Sequence, residues 1–309
     1  MGKNKLFLIA CLITFTALIH AQKKLKSLDT IDFIKDDYYF FTLENGSKIL
    51  AYYIGQPTDD YIELETALGT IIKVHKDDVI KVFKAKPQNM VDGEYWHENS
   101  YAHRYMVSPS AFNLSKNEGI WYNGYGFFNA LEYGLNKYVS LKAGLNVLLL
   151  VDSDQFYYLS AKVGNIKLHD KIYFGTNLFF ISQDENTYYN INPMFTLGNL
   201  NNNLTLGWSS FRYAGFGHFF EFSYRLEDSA FPQTAGFVNL NAMFRLSRSM
   251  YLITENWLSD HYNFDGFNYL GVRYARNLFG MDMGIITSKE IRDEVEFIGL
   301  PYITLNYKF

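Results

Sequence analysis

Across 309 residues the sequence has a single cysteine, six prolines and few charges, with Asp, Glu, Lys and Arg together making up 19%. One thiol, Cys11, cannot form a disulfide within the chain. If the segment that carries it is cleaved, no cysteine nucleophile or thiolate metal site remains. Charge is nearly balanced, with a formal net of -4 at pH 7, which gives no electrostatic footprint for nucleic acid. Long apolar runs are missing beyond the N-terminus. The longest is "LNVLLLV" at 145–151, far short of the roughly 20 residues that a membrane helix needs. Phosphate-binding loops are missing as well, since "GYGFFN" and "GFGHFF" lack the later glycine and the lysine, so no cofactor is implied.

Aromatic rings are abundant instead: 25 Tyr and 27 Phe bring the aromatic share to 18%. Membrane barrels use such rings as girdles at the two interfaces. The N-terminus, "MGKNKLFLIACLITFTALIHA", places Lys3 and Lys5 ahead of an apolar run from Leu6 to Ile19 and a small Ala21, the pattern of a secretory signal peptide over 1–21. That run is too short for a membrane anchor. "LIAC" at 8–11 has the form of a lipoprotein cleavage box on Cys11, but it would leave only a stub of apolar core.

Residues 22–90 predict a small periplasmic β domain of about five short strands, with turns at Asn45-Gly46, at 56–60, at Gly69 and at 76–78. Its strand lengths and turn placement resemble the SH3-like and Sm-like small barrels. A linker over 91–103 follows. From 104 to 309 the chain alternates apolar and polar residues in segments of about ten, as membrane strands do. The pattern predicts strands near 104–113, 119–133, 137–150, 156–166, 170–182, 187–198, 202–213, 234–246, 249–259, 265–276, 278–287 and 296–309. Short and long connections alternate between them, which puts both termini on the periplasmic side. The fold class is therefore all-β: an antiparallel transmembrane β-barrel of about twelve strands preceded by the small β domain.

The stretches "RYMVSPSAFNLSKNEGIWYN" at 104–123 and "LITENW" at 252–257 resemble a group of mostly uncharacterised outer-membrane barrels from Bacteroidota-type bacteria. The resemblance implies residence in the outer membrane, with lipid and the barrel assembly machinery as partners. It transfers no catalytic residue. The terminal "YITLNYKF" reads as a closing strand, and Tyr307 and Phe309 form the assembly signal that such proteins carry.

Placing the apolar parity against lipid turns Lys142, Asn146, Lys162, Asn177, Asn190, Asn192, Asn239, Asn241, Arg245, Arg273, Asp282, Asn306 and Lys308 into the lumen. Reversing a strand would cost about 2–4 kcal/mol for each Lys or Arg near the midplane. Glu255 and the strand at 119–133 have no clear parity. Residues whose numbers sum to about 555 should oppose each other across the turn at Asn277, which pairs Arg273 with Asp282. A polar interior of twelve strands lies between the filled eight-stranded barrel and the open sixteen-stranded porin.

Three functions follow from this interior: a narrow channel for small polar solutes, with a slight preference for anions; a structural or surface-interaction barrel without transport; or an outer-membrane lipid hydrolase. For the last, Ser259 with His261, and His218 with Ser209 or Ser210, are the Ser/His candidates. Residues i and i+2 of one strand stand about 6.5–7 Å apart, beyond nucleophile contact. His97, Glu98 and His103 lack the HExxH spacing, so no metal site is expected. The aromatic connection 214–233 reads equally as a lid, a plug or an extended hairpin.

Overall fold

The structure, a computed structural model, describes residues 37–66, 68–85, 89–91, 94–146, 156–183, 186–212, 234–259, 266–276, 278–289, 291–292 and 298–309. The expected signal peptide, Cys11, Asn277, the 214–233 connection, His218 and His261 lie outside them. The chain divides into two units, Met1–His97 and Glu98–Phe309.

The first unit holds a five-stranded antiparallel sheet: β1 (Tyr38–Leu43), β2 (Lys48–Thr58), β3 (Tyr61–Thr66), β4 (Ile71–His75) and β5 (Val79–Lys84), in the order β4-β3-β2-β1-β5. Asn45 and Gly46 make the first hairpin. Gly46 takes φ +81°, and the Asn45 side chain accepts the amide of Ser47 at 2.8 Å. A single 3-10 turn at Lys76–Asp78 redirects the chain so that β5 returns beside β1. Phe41, Ala51, Ile62 and Leu64 form the core of this sheet. Two short strands, β6 (Met90–Val91) and β7 (Glu94–Tyr95), pair with each other.

The second unit is a closed barrel of twelve antiparallel strands. They are β8 (Gly119–Gly124), β9 (Phe128–Gly134), β10 (Val139–Asn146), β11 (Phe156–His169), β12 (Ile172–Gln183), β13 (Asn186–Gly198), β14 (Asn203–Arg212), β15 (Thr234–Arg245), β16 (Met250–Ser259), β17 (Phe267–Arg276), β18 (Phe279–Thr287) and β19 (Leu300–Lys308). β19 pairs with β8 and closes the ring. The amide and carbonyl of Phe309 exchange hydrogen bonds with Gly119 at 2.8 and 2.9 Å.

Side chains alternate across most of the wall. On β14, Leu204, Leu206 and Trp208 are 42–52% exposed, while Asn203, Thr205 and Ser209 are 0–3% exposed. Apolar groups face outward and polar groups are buried, the reverse of a water-soluble sheet. Such an exterior is stable only in an apolar solvent.

Two expected strands require correction. Residues 104–113 form no barrel strand, and 119–133 is two strands rather than one. Tyr125 and Gly126, at φ +52° and +85°, fold it into the β8–β9 hairpin. The errors cancel, so the count of twelve and the chain direction survive. The physical signals were present: two glycines within three residues mark a turn, and Pro109 between two serines is unsuited to a central strand.

Candidate functional site: a plugged barrel interior

Residues 98–118, expected to be linker and first strand, instead contact the buried wall residues of the barrel. Tyr101, Ala102, His103, Arg104, Tyr105 and Met106 are all buried, a continuous run with no exposed face. A segment enclosed this way has no ladder of its own. Its backbone N–H and C=O groups need partners, because burying them unpaired is costly. Side chains of the wall supply these partners, and this explains much of the charge in the interior.

Arg273, fully buried on β17, donates to Asp282 on β18 through Nε at 2.6 Å and Nη2 at 3.0 Å. The two are direct cross-strand partners. The same guanidinium also donates to the carbonyls of Tyr101 at 2.6 Å, Arg104 at 3.0 Å and Tyr105 at 2.6 Å. Arg104 approaches Asp282 from the plug, with Nη2 at 2.8 Å from Oδ2 and 2.6 Å from Asn306 Oδ1. One carboxylate thus stands between two arginines, one in the wall and one in the plug, and all three are buried.

Lys162 Nζ donates to the carbonyls of His103 at 3.0 Å and Phe112 at 2.7 Å. Glu255, whose parity the sequence left open, is fully buried. It accepts the amides of Met106, Val107 and Ser108 at 2.8–3.1 Å, the hydroxyl of Ser108 at 3.1 Å, and Trp257 Nε1 at 2.7 Å. Thr196 Oγ1 accepts the amide of Ala111 at 2.8 Å, and Asn165 gives its own amide to the Ala111 carbonyl at 2.7 Å. His103 is also buried, hydrogen-bonded to Tyr122, whose hydroxyl donates to Glu132 at 3.0 Å.

The remaining interior candidates sit as follows. Lys142 lies over the ring of Tyr122, 4.5 Å from its centroid. Asn177 accepts from Ser160 at 2.6 Å. Asn146, Asn190, Asn192, Asn239, Asn241 and Asn306 are buried. Arg245 is only half-buried and donates to the carbonyls of Ser247 at 3.1 Å and Arg248 at 2.7 Å, in the turn that follows its strand. Lys308 pairs with Glu118 at 2.8 Å. Burial alone would raise the Glu118 carboxyl. The ammonium of Lys308 outweighs it and holds that carboxyl below the usual range. Four of the five cations expected to give the interior its mild positive excess are therefore bound to plug, turn or loop groups.

Tyr307 is exposed on the outer face, and the ring of Phe309 lies against Gly119. A cavity of about 210 Å³ adjoins the plug, lined in part by Glu98, His103, Asn113, Glu118 and Lys308. Among the described residues no group of three or more His, Cys, Asp or Glu side chains is placed to hold a metal. Ser209 is engaged with Asn192 and Asn239 rather than with a base. No helix among the described residues is long and apolar enough to cross a membrane, a statement that does not bear on strands.

Architecture and interior together define a twelve-stranded barrel with an apolar exterior and an internal plug. No family model matches the chain, and no curated protein does. Solved structures similar to it include two of a porin. A KdgM porin in complex with disordered oligogalacturonate has 9% identity and a TM-score of 0.42, covering 62% of this chain and 98% of the other. A second KdgM porin structure has 8% identity and a TM-score of 0.41, covering 62% and 96%. At these values the likeness extends no further than the barrel, which the strand pairing already establishes.

Proposed function

We propose that this chain is an outer-membrane β-barrel acting as a gated narrow channel: small polar solutes pass when the segment 98–118 is displaced. The carrying observation is that the segment occupying the interior is held by wall side chains to its backbone, through Arg273, Lys162 and Glu255. The inside-out alternation of the wall supports the outer-membrane location. The N-terminal unit then lies in the periplasm, the thirteen inward residues line or seal the lumen, and Tyr307 and Phe309 present the assembly signal to the barrel assembly machinery. Membrane lipid covers the exterior.

Planar-bilayer conductance of the full chain tests the gate. The wild type should be mostly closed, and Glu255→Gln should raise the open fraction. That substitution leaves one oxygen where two served five donors, and each buried donor left unmet costs about 1–3 kcal/mol. A barrel that stays silent after Glu255→Gln and after deletion of 98–118, while still showing heat-modifiable migration, would overturn the channel. It would leave the second reading, a non-transporting structural or surface-interaction barrel, which the density of the ionic seal favours. Loss of measured lipid hydrolysis on His261→Ala would point instead to the enzyme reading.

A further inference from the structure

The buried polar side chains of the wall differ from one side of the barrel to the other. Those that bear charge and hold the plug lie on β9, β11 and β16 to β18: Glu132, Lys162, Glu255, Arg273 and Asp282. The inward face of β13 to β15 carries amides and hydroxyls instead. Counting inward from the plug contact at Thr196, β13 presents Met194, Asn192 and Asn190. From the contact at Thr205, β14 presents Gly207 and Ser209. On β15, Asn241 and Asn239 follow Met243, which touches the plug through Asn99. Before Arg245 at the strand end, none of the described inward positions on these three strands is ionisable.

Asn192, Ser209 and Asn239 form one connected cluster, with Asn190 and Asn241 two residues along the same strand faces. Asn192 Nδ2 donates to Asn239 Oδ1 at 3.0 Å and also to Ser209, and Ser209 Oγ donates to the same Asn239 oxygen at 2.9 Å. Gly207 lies beside this cluster, and a β-carbon there would stand 3.2 Å from Asn192 Oδ1, a tight contact. Asn190 lies two residues from Asn192 on the same face. Three polar atoms of the patch have no partner: Asn190 Oδ1, Asn239 Nδ2 and Asn241 Nδ2, on side chains 4%, 1% and 1% exposed. Buried amides left unsatisfied are costly and are rarely retained without a partner that completes them.

We propose that this amide strip is a binding site for neutral, polyhydroxylated solutes, and that it lies on the conduction path of the proposed channel, on which reading the inference rests. Two open donors and one open acceptor match hydroxyl groups, each of which donates and accepts. The strip itself carries no charge, and the nearest carboxylate, Glu255 opposite Asn241, is taken up by the plug amides and Trp257. Trp257, the direct cross-strand partner of Asn239, supplies an aromatic ring beside the patch and a reporter of occupancy.

The test is fluorescence titration of the full-length protein in detergent with sucrose, gluconate and choline, alongside proteoliposome swelling with the same three. Sucrose should produce a saturable change in tryptophan emission that the two ions do not. Asn239→Ala and Asn190→Ala should each weaken it by about tenfold, the value of one hydrogen bond, while Leu240→Ala on the outer face leaves it unchanged. Heat-modifiable migration checks that each variant is folded. Binding lost in the asparagine variants but without swelling in any protein would retain the site and overturn the channel. Equal responses to all three solutes, or sucrose binding indifferent to both asparagine substitutions, would overturn the inference.

Discussion

Asp282 is the residue on which the interior charges converge. The sequence placed it opposite Arg273, because both strands meet at a tight turn and the inward parity is fixed by their apolar partners. It did not reveal Arg104, whose guanidinium arrives from a segment that reads as a strand in its own right. Asp282→Asn should therefore strand two buried cations rather than one. The expected loss is about 3–5 kcal/mol, seen as a lower temperature for conversion of the folded band on a gel. Adding Arg273→Gln should restore only part of it. A double-mutant cycle between Arg104 and Asp282 that proved strictly additive would remove the plug from this network. Glu255 was illegible for a related reason: Ile253 and Trp257 share its face, and the plug amides that it accepts come from a segment far away in the sequence.

At the scale of elements, alternation was legible wherever a strand separates lipid from a polar interior. It failed where a segment is buried on every side. Residues 101–106 are buried without a break, and within 104–113 Val107 alone is strongly exposed, so a period of two carries no information there. The β8–β9 hairpin was missed because its apolar residues continue on both sides of the turn. Glycines at the strand interfaces show a further constraint that spacing does not announce. Tyr269 lies flat across the inner face of β17 and β18, and a β-carbon on Gly284 would stand 2.5 Å from its ring and from the Leu270 carbonyl. Gly284→Ala should cost about 1–3 kcal/mol through overpacking. Thermal unfolding checks this, and an unchanged midpoint would mean that the ring has another place to go.

For the whole molecule, closure depends on β8 meeting β19, and the last residue takes part through its backbone pair with Gly119. Deleting Phe309 should reduce the yield of assembled barrel in outer-membrane fractions, both by opening that seam and by removing part of the proposed assembly signal. Fractionation measures it. Unchanged insertion would count against both roles, and recovery of the wild-type chain in the soluble periplasm would count against the location.

The sequence by itself determined that the chain is a barrel of alternating strands and how β17 opposes β18, while its count of about twelve held because two errors cancelled. These are local properties: a period of two, a turn and a difference in polarity between two faces are written in neighbouring residues. Only the tertiary structure decided what fills the barrel. The plug is recognised through its backbone, by Arg273, Lys162 and Glu255, and backbone groups are the same in every sequence. The partners lie 50 to 172 positions apart, so nothing within reach of a sequence window records their meeting.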